Sequence, residues 1–326
     1  MSASTAPSSP TTVANENERY LLERENVLGP LFLLPAVVYI LALVGFPLVL
    51  AVLYAFSDVT VANPRITSWD DFVGMKNFTS VWNDSVFQKA LRNTIVFTVV
   101  SQAAVVVLAS LLSIILAADF RGKYLVRFLV LLPWTTPIAL AVLGWFWMLD
   151  SVYSPIDWLM REVGLLGPGT PLGPARNMYW LGKTDLAQSA VIIVHIWRTL
   201  PLATVIMLAG FAAIPQDIQD AADIDGAGFW RQLFFVKIPL LLPIIVVAVL
   251  FAIVFTFSDL AISLVLTRGG PVNDTQVLAS WAYFKGIQGG DLAQGAAIAL
   301  FLLPIMVAIA VAMLRLARRS GAEERE

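Results

Sequence analysis

Two groups of residues in this chain have types and spacings that could do chemistry. The first is the polar stretch Ile214-Pro215-Gln216-Asp217-Ile218-Gln219-Asp220-Ala221-Ala222-Asp223-Ile224-Asp225-Gly226-Ala227, which runs on to Ile238-Pro239 between two long apolar runs. Ile214, Ile218, Ala221 and Ala222 recur at helical spacing and make one apolar stripe. Asp217, Asp220 and Asp223 form an acidic edge beside it, the first two near a helix N-terminus, where the macrodipole favours negative charge. Pro215 suits a first helical turn and Gly226 a stop. Phe229, Trp230, Leu233 and Phe234 restart the pattern, and Pro239 closes it. The expectation is two small helices joined by a forced turn. Its chemistry is docking: an apolar stripe with a charged edge, too polar for lipid, is built to meet another protein. The second group lies inside the apolar runs: His195, Trp197, Arg198, Phe257, Ser258 and Asp259. An ionised side chain at the centre of a membrane helix costs about 2.5–3.5 kcal/mol, so Arg198 and Asp259 are expected to face the interior of a bundle, where they can pair. His195 is either a satisfied interhelical hydrogen bond or a residue lining a pathway. A single histidine and no cysteine offer too few ligands for a metal.

The elements that must position these residues are membrane helices. Hydrophobic residues make up 58% of the chain, charged residues 13%, and the mean hydropathy is +0.78, well outside the soluble range. A formal net charge of −2 gives no argument for nucleic acid. Apolar runs of about 20 residues suffice to span a bilayer. Six are read, over 28–56, 92–118, 125–149, 187–212, 240–267 and 292–316. They predict an all-α, polytopic membrane fold. Residues 1–27 and 317–326 are read as tails, the first rich in Ser, Thr, Pro, Asn and Glu and expected to be disordered. With six spans both termini share a side with 119–124 and 214–239. Basic residues cluster there, at Arg121, Lys123 and Arg127 and again at Arg315, Arg318 and Arg319, which points to the cytoplasm. Trp145, Phe146 and Trp147 are expected in an interfacial aromatic belt.

Asp220-Ala221-Ala222-x-x-Asp225-Gly226-Ala227, with Val236-x-Ile238-Pro239 at its far end, resembles the "EAA" loop of ATP-binding-cassette importer permeases. Asp220 stands where that family usually has Glu, and Ile238 where it usually has Leu. The likeness continues through Phe72-Val73-Gly74-Met75-Lys76-Asn77-Phe78, Ala90-Leu91-Arg92-Asn93-Thr94, Leu132-Pro133-Trp134 with Pro137, and Ile196-Trp197-Arg198. Thr267-Arg268-Gly269-Gly270-Pro271 is similar to the TxGGP element of the MalF/UgpA-like carbohydrate group. The resemblance implies a type I (MetI-like) permease fold over residues 28–316, in the bacterial inner membrane, with both termini cytoplasmic. It implies as partners a second, MalG-like permease, two ABC ATPase subunits and an extracytoplasmic sugar-binding protein. Asp220, Ala221, Ala222, Asp225, Gly226, Ala227, Phe229, Trp230 and Pro239 would then couple to the ATPase.

Within that reading the chain is no enzyme and binds no cofactor, ATP and Mg belonging to the partner ATPase. Gly182-Lys183-Thr184 mimics the end of a phosphate-binding loop, but the glycine required five positions earlier is Asn177. Trp197, Phe255 and Phe257 are candidates to stack on a sugar ring, and Asp259 to meet sugar hydroxyls or to hold a neighbouring helix. The alternative is a secondary, ion-coupled transporter. Such proteins carry repeats with broken helices in both halves, and no such self-similarity is visible.

Overall fold

Apolar stretches of 26 to 33 residues can satisfy their backbone in lipid only as helices or closed barrels, and here all are helical. The computed structural model describes residues 25–322, in two units divided after Ala51. In the first, α1 (Glu25–Ile40) passes through a π-helical turn, Leu41–Gly45, into α2 (Phe46–Ala55), whose last four residues belong to the second. Its side chains from Leu31 to Val49 are largely exposed in the isolated chain. An uncharged surface of that kind is covered by bilayer. The first 24 residues of the expected tail lie outside the described residues, and Glu25–Val27 are already helical.

The second unit holds α3 (Lys76–Trp82), α4 (Ser85–Ala117), α5 (Lys123–Thr135), α6 (Ile138–Met148), α7 (Pro155–Glu162), α8 (Thr184–Ala213), α9 (Gln216–Ile224), α10 (Phe229–Gln232), α11 (Ile238–Phe257), α12 (Leu278–Tyr283) and α13 (Leu292–Ala322). Among the described residues the only β feature is an isolated bridge between Ser57 and Phe72. The long helices α4 and α8 lie against one another as the central pair, with α5 on α8, and α13 lies along α11 and α12. Small residues permit this closeness. A Cβ on Gly210 of α8 would stand 3.0 Å from Leu241 of α11. One on Gly295 of α13 would strike the backbone of Gly286. One core gathers Phe97, Val142, Val194, Ile262 and Leu266; a second gathers Phe87, Ala90, Leu278 and Ile298.

The structure alters several of the expected spans. Residues 125–149 are not one straight helix: α5 and α6 meet at 97°. Pro137 has no N–H to give and forces Thr136 into extended geometry. The Leu132 carbonyl accepts from the Thr136 hydroxyl at 2.7 Å, which helps to close the end of α5. The fifth span is not 240–267 either. An unbroken helix runs from Phe229, through a π turn at Leu233–Lys237, to Phe257, and Ser263–Thr267 is a separate turn. Pro239 therefore closes nothing. It lies where a helix needs no donor from it, because the preceding turn is wound as π, with the Ile238 N–H reaching Leu233. Helix α4 begins seven residues before the expected 92, where the Asp84 carboxylate caps it by accepting from the Val86 N–H at 2.9 Å. At the other end of the chain, α13 continues past the expected boundary at 316 to Ala322.

Candidate functional site

The fifth span ends inside the bundle, and the residues at its end form the first candidate site. After Phe257 the backbone leaves the helix at Ser258. Asp259 starts the next turn, its Oδ1 accepting from the Ile262 N–H at 3.3 Å. Its other oxygen, Oδ2, faces His195 Nδ1 at 3.1 Å and Arg198 Nη1 at 3.6 Å, one turn apart on α8. His195 Nε2 lies 2.9 Å from the Thr256 hydroxyl, which also accepts from the Gln102 amide at 2.6 Å. Both imidazole nitrogens therefore have partners, while the Thr256 hydroxyl also donates to the Ala252 carbonyl of its own helix at 2.7 Å. Arg198 sets a cation beside Asp259. Three helices are thus joined at one point: α4 through Gln102, α8 through His195 and Arg198, α11 through Thr256.

This cluster separates the sequence candidates by exposure. His195, Phe257 and Asp259 are buried, Trp197 and Arg198 are half-buried, and Ser258 is exposed. The Arg198 guanidinium lies over the Trp134 ring at 5.7 Å, and Trp134 meets Phe255 edge-on. Trp197 is edge-on to Trp145. Trp145 therefore belongs to the interior rather than to the expected belt, while its neighbours Phe146 and Trp147 are exposed. Thr256, Gln102 and Trp134 also belong to this site. The signal that could have found the first two is a polar side chain in mid-span; Trp134 stood in the Leu132-Pro133-Trp134 motif.

At the opposite end of the same rod lies the polar loop. Helix α9 starts one residue later than expected, with Pro215 at its N-cap. It ends in a Schellman motif: the Ala227 N–H reaches the Ala222 carbonyl and the Gly226 N–H that of Asp223, both at 3.0 Å. That motif needs a left-handed residue, and Gly226 supplies it at φ +69°. A Cβ there would meet nothing in this chain within 4 Å, so the requirement is conformational. The Gln232 amide returns to the Ala227 carbonyl at 2.9 Å, tying α10 back onto α9. Of the expected stripe, Ile214 and Ala222 are buried, Ile218 is half-buried and Ala221 is exposed. The large apolar surface left outside is Ile224, Phe229, Trp230, Phe234 and Phe235, with Trp230 stacked on Phe234. Asp217, Asp220, Asp223 and Asp225 are exposed beside it. Exposed apolar surface rimmed by charge marks a contact with protein or membrane. The second limb of the loop, α10, is continuous with α11, so Pro239 sits within the rod that joins the loop to the break.

The TxGGP segment is closed on itself. Arg268, Gly269, Val272 and Asn273 all have positive φ. The Asp274 carboxylate receives Lys89 at 2.6 Å and the Thr184 hydroxyl at 2.5 Å. The Asn93 and Gln188 amides both donate to the Asp274 carbonyl. The Lys89 and Thr184 contacts hold the Asp274 carboxyl below the usual carboxylate range.

Residues 106–321 match the family described as the binding-protein-dependent transport system inner membrane component, and the chain belongs to it. It is a multi-pass membrane protein and a component of a transport system, which sets aside the ion-coupled alternative. A probable ABC transporter permease of Brucella suis is 30% identical over 89% of this chain and 97% of its own length. The trehalose/maltose transport system permease of Thermococcus litoralis is 29% identical, over 90% of this chain and 95% of its own. The fold is shared with a bacterial ABC transporter that imports alginate, at a TM-score of 0.74 and 18% identity, over 91% of this chain and 97% of that one.

Proposed function

We propose that this chain is one permease subunit of an ATP-driven, binding-protein-dependent carbohydrate importer. It forms half of the pathway together with a second, MalG-like permease. Two ATPase subunits carry ATP and Mg and receive the 214–239 loop in the cytoplasm, where both termini also lie. An extracytoplasmic binding protein delivers the sugar. Relatives named for sulfoquinovosyl glycerol and for trehalose and maltose support the carbohydrate class.

One observation carries the reading. A single helical rod, Phe229–Phe257, about 43 Å long at 1.5 Å per residue, joins the exposed aromatic loop to the polar break. Motion imposed on Phe229 and Trp230 by a closing ATPase dimer is carried along that rod to Ser258 and Asp259. On this reading Trp197, Arg198 and Ser258 face the sugar, with Trp134 and Phe255 beside them. His195, Phe257 and Asp259 hold that surface from behind. Uptake of labelled mono- and disaccharides into a strain deleted for this chain tests the proposal. Restored uptake of one sugar class, lost in Asp220→Lys, is the expected result; uptake that persists after ATP depletion would overturn it.

A further inference from the structure

A cavity of about 740 Å³ opens beside the loop, lined by Ile114 and Ala117 of α4, Leu208 and Phe211 of α8, and Phe229 and Leu233 of the rod. Two cations, Arg127 and Lys237, line it, and no carboxylate does, although the neighbouring α9 is acidic. Arg127 gives one guanidinium N–H to the Leu116 carbonyl at 2.6 Å. Its Nε is buried and has no hydrogen-bond partner. Lys237 has no ion pair among the described residues. Tyr124, exposed at the head of α5, lies under the Arg127 guanidinium at 6.0 Å, as an aromatic at a membrane interface does.

The carboxylate that Arg127 senses is that of exposed Asp119, outside the lining, and neither cation forms an ion pair among the described residues. An apolar cleft at the end of the spans, carrying two such cations, matches an amphiphile with a negative head. We propose that it holds an anionic phospholipid of the cytoplasmic leaflet, with the phosphate on Arg127 and Lys237 and an acyl chain along Leu208 and Phe211. The assignment to that leaflet rests on the orientation proposed above. Basic pockets between membrane helices on the cytoplasmic side bind anionic headgroups in this way. The lipid would brace the loop against the ends of α4 and α8.

The test is native mass spectrometry of the purified full chain with phosphatidylglycerol or phosphatidylcholine. Two cations at a membrane surface imply a preference of about tenfold or more for the anionic lipid. Arg127→Gln with Lys237→Gln should bring the two lipids to parity, while Arg127→Lys keeps the preference. Ala209→Trp fills the cleft without changing charge and should lower retention of phosphatidylglycerol. Equal retention of both lipids by the unaltered chain would overturn the proposal. So would displacement of the lipid by inorganic phosphate alone, or full retention in Ala209→Trp. The measurement uses neither ATP nor sugar, so its failure leaves the importer reading standing. Conversely, Asp220→Lys should lose uptake and keep the lipid.

Discussion

The 214–239 loop and the 267–278 loop are both polar, both turn on glycines of positive φ, and differ in what completes them. The second finds its partners within the chain: Asp274 is bound by Lys89, Thr184, Asn93 and Gln188. A Cβ on Gly269 would strike the Gln276 side chain. The first has a well-formed turn but leaves Phe229, Trp230 and Phe234 outside and Gly226 in open space. A loop whose bonds are all internal stabilises the fold; one that exposes its aromatics leaves surface for a contact outside the chain. Substitutions should therefore act on stability at 267–278 and on coupling at 214–239.

The largest expected effect is at Gly226. Proline cannot adopt φ +69° and removes the N–H that reaches Asp223, so Gly226→Pro should abolish uptake while membrane levels stay near wild type. Full uptake by that variant would break the comparison. Asp259→Ala comes next, because it leaves Arg198 and His195 without their carboxylate. Breaking a buried pair costs about 3–5 kcal/mol, and half-burial of Arg198 places this one toward the lower end. Lower thermal stability in detergent and at least a tenfold loss of uptake are expected. Gly269→Ala should lower the melting temperature by the equivalent of about 1–3 kcal/mol and leave ATPase association intact on co-purification; weakened association with unchanged stability would reverse the assignment of the two loops.

The smallest effect is in pH. The Asp274 carboxyl is held below its ordinary value of about 3.9, so its contribution to stability is fully present above that value. It is lost as the pH falls below it, through the folded-state value. Unfolding of the wild type should therefore steepen below about pH 4, and Asp274→Asn should flatten that limb. An unchanged acid limb would show that Lys89 and Thr184 contribute nothing.

Much of the 214–239 loop was legible because its signals are local. Gly226, the acidic edge and the aromatic restart each depend on neighbours within a few residues. The stripe was only partly legible, since Ala221 fits its helical spacing yet is exposed. The kink at Pro137 had its signal in the proline, but an apolar run long enough to span hid it. The break after Phe257 had none: Phe257-Ser258-Asp259 contains neither glycine nor proline.

The sequence by itself determined that the chain spans a membrane with helices, where a polar, acidic loop interrupts the apolar runs, and which charged residues belong in the interior. These follow from transfer free energy and from backbone preferences that each residue carries wherever it is placed. Only the tertiary structure decided that the fifth helix starts at Phe229 and stops at Phe257, that Pro239 lies within it, and that His195 is spent between Asp259 and Thr256. Those outcomes turn on which distant side chains arrive to satisfy a carboxylate or an imidazole, and no local pattern encodes that.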